Sequence, residues 1–267
     1  MPKELTGLIE PLCALAEQAG EAIIRIYHDG FTVRVKSDDS PVTEADEAAE
    51  AIILPALAAL LPGVPIVSEE SGLTGKSLDF TRQRFWAVDP LDGTKEFIRR
   101  SGEFTVNIAL IDHGRPVLGV VHAPAFDVTY SGAGLATALM RQGRQAAQPI
   151  AARRAPADGL IALASRSHDS SEELRELLAR YPIQERRQLG SSVKFCHIAA
   201  GQADLYLRLG PTCEWDTAAG QAVLEAAGGS MTLLDGKPFT YGKPGFLNPS
   251  FIATGMASGI ATGLTGR

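Results

Sequence analysis

Two carboxylates three residues apart, in Asp89-Pro90-Leu91-Asp92-Gly93-Thr94, close an apolar run and could meet at one point. In this pattern Asp89 leaves a strand, Pro90 turns the chain, and Asp92 returns a second carboxylate, with Gly93 permitting close backbone approach. A helix starting at Gly93-Thr94 would add free N–H groups and a positive dipole end, a seat for phosphate beside the carboxylates. The same residue types also make an ordinary turn, and the hexapeptide alone fits both readings equally.

More carboxylates fall at the ends of predicted elements. Glu69-Glu70 closes the run PIVSEES, Asp216 opens the helical pattern WDTAAGQAVLEAAGG, and Asp46 lies at the start of EADEAAEAIILPALAALLPG. Taken singly, Asp216 and Asp46 read as first-turn helix charges and Glu69-Glu70 as a solvated loop pair. Gathered together they would repel one another and need a cation. A set of hard oxygen donors without His or Cys selects Mg2+ over zinc. Ions bridged by shared carboxylates suit phosphoryl chemistry, because they can clamp both the attacking and the leaving oxygen.

The elements that must position these groups can be read from periodicity. Leu8, Leu12, Leu15, Ala16, Ala19, Ile23 and Ile26 recur at helical spacing up to Gly30, and a strand, FTVRVK, follows. Thr43 is placed to cap the next helix, Pro55 to kink it and Pro62-Gly63 to end it. RFWAVDP reads as a strand, and FTVNIALIDHGRPVLGVVHAPAFDVTYSG as a meander turning at His113-Gly114 and Pro124. The stretch from Gly132 to Ala157 is polar and weakly periodic, which predicts a boundary near residue 145. That gives an N-terminal α+β domain, 1–145, carrying most of the site. A C-terminal α/β domain, 146–267, would contribute Asp216 and substrate contacts. In the second half GLIALASRS and DLYLRLG read as strands, and SSEELRELLARYP, SSVKFCHIAAGQA and WDTAAGQAVLEAAGG as helices, a layered α/β pattern.

Composition narrows the function classes. The chain has 267 residues, 45% hydrophobic and 21% charged, as in ordinary globular proteins. A formal charge of −6 leaves no electrostatic footprint for a nucleic-acid polymer, so an anionic ligand must find local cations. Cys13, Cys196 and Cys213 are too widely spaced for a CxxC motif and odd in number, and are read as idle thiols in a reducing cytoplasm. The N-terminus lacks the pattern of a signal peptide, and no run approaches the roughly 20 apolar residues of a membrane span. The expected location is cytoplasmic.

The motifs VSEES, WAVDPLDGT and WDTAAG occur in that order, and with them the chain resembles the lithium-sensitive, magnesium-dependent phosphatase superfamily that includes inositol monophosphatases, fructose 1,6-bisphosphatases and bisphosphate nucleotidases. The runs SPVTEADEAAE, DPLDGTKEFIRRSGEFTVNIALI, GSSVKFC and RLGPTCEWDTAAGQAVLEAAGG are similar to its bacterial 3'(2'),5'-bisphosphate nucleotidase branch, with Lys95-Glu96-Phe97 as the distinguishing tripeptide.

The resemblance implies a layered αβαβα sandwich of the inositol monophosphatase and sugar phosphatase type. It implies that Glu69, Asp89, Asp92, Asp216 and the Leu91 carbonyl hold two or three Mg2+ ions, with Asp89 bridging. Thr94, supported by Asp46, would orient and deprotonate the attacking water, with Glu69 also in the catalytic group. The Gly93 and Thr94 amides would seat the phosphate and Lys36 would add positive charge. Ser191, Ser192, Lys194 and Arg208 resemble nucleotide contacts; Lys194 reads equally as a surface lysine and Arg208 as a solvated charge. Ser165 and His168 rest on less, and His168 reads as an exposed loop histidine. The implied reaction removes the 3'-phosphate of adenosine 3',5'-bisphosphate, with the sulfated nucleotide as a second candidate substrate and a link to sulfur metabolism. An inositol or sugar monophosphatase, and a non-catalytic nucleotide-binding sensor, are the competing readings. A homodimer and peripheral contact with the inner membrane are left open.

Overall fold

The computed structural model describes residues 3–36, 40–73, 80–166 and 171–256. His168 lies outside the described residues. Helices α1 (Lys3–Thr6) and α2 (Ile9–Asp29) lead into an antiparallel ribbon of β1 (Val33–Val35) and β2 (Pro41–Thr43). The strand expected over FTVRVK is shorter than predicted and exposed along its length. The helix α3 (Glu44–Leu60) runs through Pro55 and stops before Pro62-Gly63. Its cap is Thr43: the Thr43 side chain accepts from Ala45 N–H, and Asp46 returns a carboxylate to the Thr43 N–H and hydroxyl at 2.8 and 2.7 Å. Such a cap stabilises a helix by about 1 kcal/mol.

The strands β3 (Ile66–Ser68), β4 (Gly72–Leu73), β5 (Arg84–Asp92), β6 (Thr105–Asp112), β7 (Arg115–Ala123), β8 (Val128–Gly132), β9 (Leu139–Gln142) and β10 (Gln148–Pro149) form one sheet in the order β10-β9-β8-β7-β6-β5-β3-β4. The meander turns at His113-Gly114 and at Pro124, as its turn residues predict. Between β5 and β6 lies α4 (Thr94–Ile98), five residues long. Residue 145 falls in the turn between β9 and β10.

The second half adds β11 (Leu160–Ala164), α5 (Glu172–Leu178), β12 (Ile183–Gln188), α6 (Val193–Ala199), β13 (Leu205–Arg208), α7 (Glu214–Ala226), β14 (Ser230–Leu233) and β15 (Phe251–Thr254). Its five strands are ordered β12-β11-β13-β15-β14, with β11 parallel to both neighbours and β15 antiparallel to both of its own.

Alternation along β5 sets the layers. Trp86 and Val88 pack with Leu12, Ala19 and Ile23 of α2 and with Ile53 and Leu57 of α3, whereas Phe85 and Ala87 face the opposite cluster. That cluster joins the large sheet to Phe195 and Cys196 of α6, to Ala219 and Val223 of α7, and to Tyr206 and Phe251 of the small sheet. Leu174, Leu177 and Leu178 of α5 cover the small sheet's outer face through Leu160, Leu205 and Ile252. The result is helix, sheet, helix, sheet, helix, the αβαβα sandwich expected. Each fully buried Leu, Ile or Phe contributes roughly 1.5–3 kcal/mol, so these faces hold the layers.

One glycine decides how close α7 comes to the sheet. A Cβ at Gly119 would lie 2.5 Å from the Ala219 carbonyl oxygen, so only glycine lets the helix rest on β7. That seating places the first turn of α7 beside the end of β5. No helix among the described residues is long and apolar enough to cross a membrane.

Candidate metal and phosphate site

The end of β5 does not release Asp89 as the turn pattern predicted. Asp89 still pairs with Asn107 and Asp92 with Thr105, so Pro90 and Leu91 together stand opposite Val106 alone, a bulge of one extra residue inside the strand. The bulge is braced by the Leu91 N–H, which donates to Asp89 Oδ1 at 3.0 Å. It aims two carboxylates from one strand into the same space. Gly93 follows at φ 93°, in the left-handed region, and caps α4. A helix does start there, as expected, but with five residues it offers only a small dipole.

Glu69, Asp89 and Asp216 converge: one oxygen from each lies within 4.8 Å of the others. Asp216 lies in the first turn of α7, as expected, with Cys213 as the cap; Asp216, three residues on, accepts the Cys213 N–H at 2.8 Å. Asp89 is 1% exposed, which desolvates its carboxylate. Burial first, then repulsion from Glu69, Asp92, Asp216 and Asp46, holds its pKa well above the ordinary value. Asp216 is likewise pushed up, by burial and then by Asp92 and Glu69, against the opposing pull of the Cys213 N–H and Arg208. Burial raises Asp92 to about 6, although Lys194 and the Ser192 N–H favour its charge.

These groups face a cavity of about 260 Å3 that is also lined by Leu91, Gly93, Thr94, Ser191, Lys194 and Arg208. Thr94 Oγ1 lies 3.3 Å from both Asp46 Oδ1 and the Leu91 carbonyl. Since Asp46 Oδ2 is occupied by the α3 cap, the other oxygen is left to face the threonine. Burial raises the Asp46 pKa despite its Thr43 hydrogen bonds, which favours proton acceptance.

Lys194 and Arg208 are not the surface charges that their positions also allowed: they are 4% and 6% exposed. Lys194 Nζ donates to the Ser191 and Leu189 carbonyls at 2.6 and 3.2 Å and sits 5.1 Å from the Tyr206 ring centre. Arg208 is aimed by the Gly210 and Pro211 carbonyls at 3.2 and 3.1 Å. Both bring buried positive charge to the cavity wall.

Lys36 stands apart from the cavity lining. Its ammonium pairs with Glu69 at 2.9 Å and Glu70 at 2.6 Å, so it acts on the carboxylates and makes no direct contact with the cavity. Burial opposes that charge, but the two carboxylates outweigh it and raise the lysine pKa. The Glu69-Glu70 pair is therefore a half-buried, lysine-bridged cluster and not a solvated one. Ser165 lines the cavity. Ser192 lines it too, but its hydrogen bonds run inward: its N–H meets Asp92 Oδ2, and its hydroxyl bonds Asn107 and Thr105 at 2.6 and 2.9 Å. Asn107 was not singled out from sequence, because nothing local distinguishes it from other polar strand residues.

The model of the inositol monophosphatase family matches residues 4–263. The chain is 47% identical over 248 residues to 3'(2'),5'-bisphosphate nucleotidase CysQ of Escherichia coli (strain K12), covering 91% of this chain and 98% of that protein. The protein of the same name from Buchnera aphidicola is 40% identical, with 93% and 94% covered. Among solved structures, CysQ from Bacteroides thetaiotaomicron, described as a bacterial member of the inositol monophosphatase family, superposes with a TM-score of 0.74 at 35% identity, covering 91% of this chain and 95% of that one.

Proposed function

This chain belongs to the inositol monophosphatase family, and from that premise we propose that it is a metal-dependent 3'(2'),5'-bisphosphate nucleotidase. The reaction is hydrolysis of the 3'-phosphate of adenosine 3',5'-bisphosphate to AMP and phosphate, with the sulfated nucleotide as a second substrate. The choice of branch is supported by near full-length identity of 47% to a protein named for that activity. The observation that carries the chemistry is the convergence of Glu69, Asp89 and Asp216 within 4.8 Å in a cavity walled by Lys194 and Arg208.

The donor set fits Mg2+. Every candidate ligand is a hard oxygen, and burial, followed by mutual repulsion, keeps Asp89 and Asp216 hard to ionise until a cation offsets it. Glu69, Asp89, Asp92, Asp216 and the Leu91 carbonyl would hold two or three ions, with Asp89 shared. When bound, Mg2+ supplies positive charge to the phosphate oxygens and to the attacking and leaving oxygens.

The chain's own residues do the remaining work. Thr94 Oγ1 takes a proton from the attacking water as its own proton passes to Asp46 Oδ1, and Glu69 helps to orient that water. The oxygen of the water bonds to the 3'-phosphorus, the bond from phosphorus to the 3'-oxygen breaks, and the leaving oxygen acquires a proton from solvent. The Gly93 and Thr94 amides seat the phosphate. Ser191, Lys194 and Arg208 bind the rest of the anion, in a protein whose net charge of −6 would otherwise repel it. Lys36 acts through Glu69 and Glu70. In this reading residues 1–145 carry most of the metal site and residues 146–267 carry Asp216 and the nucleotide contacts.

Phosphate release at equal Mg2+ from adenosine 3',5'-bisphosphate, inositol 1-phosphate and fructose 1,6-bisphosphate tests the assignment. Faster turnover of the nucleotide is expected. Preference for the inositol ester would overturn the branch, and nucleotide binding without phosphate release would overturn catalysis altogether.

A further inference from the structure

The loop between β12 and α6 is shaped by a residue from the other half of the chain. Glu103 is 8% exposed and accepts Nε and Nη2 of Arg166 at 2.6 Å each, together with the Gly190 N–H at 2.9 Å. Its backbone is also the point where three turns touch. A Cβ on Gly93 would lie 2.9 Å from the Glu103 carbonyl oxygen; one on Gly190 would lie 2.8 Å from that oxygen and 2.6 Å from Glu96 Cγ. No side chain fits at either place, so the turns at Gly93, Glu103 and Gly190 stand in direct contact.

From Gly190 the chain passes through Ser191 at φ 45°, a left-handed conformation that a non-glycine residue keeps only when its surroundings impose it. Ser192 N–H then reaches Asp92 Oδ2 at 2.5 Å. The same loop supplies the Ser191 and Leu189 carbonyls that hold Lys194 Nζ. One loop therefore sets both the orientation of Asp92 and the position of the buried lysine.

We propose that Glu103 is a positioning residue for this site: by gripping Arg166 and Gly190 it fixes the 189–194 loop, so that Ser192 holds Asp92 and Lys194 faces the cavity. Glu103 itself does not line the cavity. Two guanidinium N–H groups and one amide N–H all donate to it, and only an ionised carboxylate accepts from all three without offering a donor of its own. This role rests on the reading of the cavity as the substrate site, but its effect on Asp92 can be measured without substrate.

The test compares wild type, Glu103→Ala, Glu103→Gln and Arg153→Gln. Arg153 makes an equivalent two-pronged pair with Asp204, at 2.8 and 2.7 Å, at the end of β13 opposite Arg208, and controls for loss of a merely structural pair. KM and kcat are measured for adenosine 3',5'-bisphosphate with Mg2+, Mn2+ affinity by calorimetry without substrate, and Tm for each protein. Glu103→Ala is expected to raise KM and to weaken Mn2+ binding by roughly tenfold each, the low end for removing such support, with a smaller change in kcat. Glu103→Gln should fall between Glu103→Ala and wild type, and Arg153→Gln should lower Tm alone. A folded Glu103→Ala with wild-type KM and Mn2+ affinity overturns the proposal, as does an equal change in Arg153→Gln. Should Glu103→Ala not fold, Glu103→Gln decides: both quantities unchanged overturn the role, and both weakened support it. If wild type hydrolyses no nucleotide, the assigned function falls while the Mn2+ comparison still judges Glu103.

Discussion

Ser192 and Asp92, 100 residues apart in the chain, are joined by a 2.5 Å hydrogen bond from the Ser192 N–H to Asp92 Oδ2. The bond crosses between the two halves of the molecule. A carboxylate presented by the strand bulge of the first half is thereby oriented by the loop that opens α6 in the second, and the site's geometry depends on how the halves pack.

Replacing Asp89 by Asn removes the carboxylate in the most crowded position. Activity should fall by about 4 kcal/mol of transition-state stabilisation, roughly a thousandfold, if the shared ligand role is right. The metal-free protein should keep its Tm or gain about 2–4 °C, because repulsion among buried carboxylates is relieved. Steady-state kinetics and calorimetry check both; wild-type turnover would rule out the role.

Metal-free protein should lose stability as pH rises from about 5.5 to 8. Asp46, Asp89 and Asp216 have raised pKa values, Asp92 stands at about 6 and Glu70 at about 7, all in the first place through burial. The folded state therefore binds more protons than the unfolded one. That stability is fully present below the unfolded carboxylate values near 4 and disappears as pH passes through the folded ones, by a net amount on the order of 1–3 kcal/mol. His122 runs the other way, since burial lowers its pKa and its contribution is lost as pH falls. Urea midpoints in EDTA at pH 5.5 and 8 measure the balance, and Mg2+ should remove most of the difference. A higher midpoint at pH 8 in EDTA would contradict the crowding argument.

Thr94→Ala should lower kcat by roughly 10²–10⁴ while changing KM little, because the hydroxyl is assigned to proton transfer. Thr94→Ser should recover most of the loss. Asp46→Asn should lower kcat similarly and also reduce stability by about 1 kcal/mol through the α3 cap. An unchanged kcat in Thr94→Ala would remove the Thr94–Asp46 pair from the mechanism.

Lys194→Met should raise KM for adenosine 3',5'-bisphosphate by roughly 10- to 100-fold, the effect of losing a charged hydrogen bond of about 1.5–3 kcal/mol. The control is a 3'-monophosphate nucleoside, whose KM should move less. An equal loss for both substrates would place the lysine at the reacting phosphate.

Chelation with EDTA should stop turnover and Mg2+ should restore it, followed by phosphate release. Lithium should inhibit, as the resemblance implies. Full activity in EDTA would remove the metal from the reaction.

Much of this was readable along the chain, because it depends on short-range physics. Period-3.6 spacing marked α2, the Thr43 and Asp46 pair marked the start of α3, and Asp-Pro-Leu-Asp-Gly-Thr marked a place where two carboxylates must lie close, since three residues cannot carry them far apart. The unbroken apolar run of β5 is that of a strand buried on both faces, whereas the αβαβα sandwich was implied by the family resemblance.

What the sequence by itself determined was therefore the inventory of elements, the donor types and the family. Tertiary structure alone decided that Asp89 stays in its strand within a bulge, that Asp216 is tied to the Cys213 N–H beside Glu69 and Asp89, that Lys36 turns to Glu69 and Glu70, and that Lys194 and Arg208 are buried. The physical reason is range. Propensity, capping and turn chemistry act over a few residues, whereas burial, ion pairing and the meeting of Glu69, Asp89 and Asp216 arise only once distant segments share one dry, crowded space.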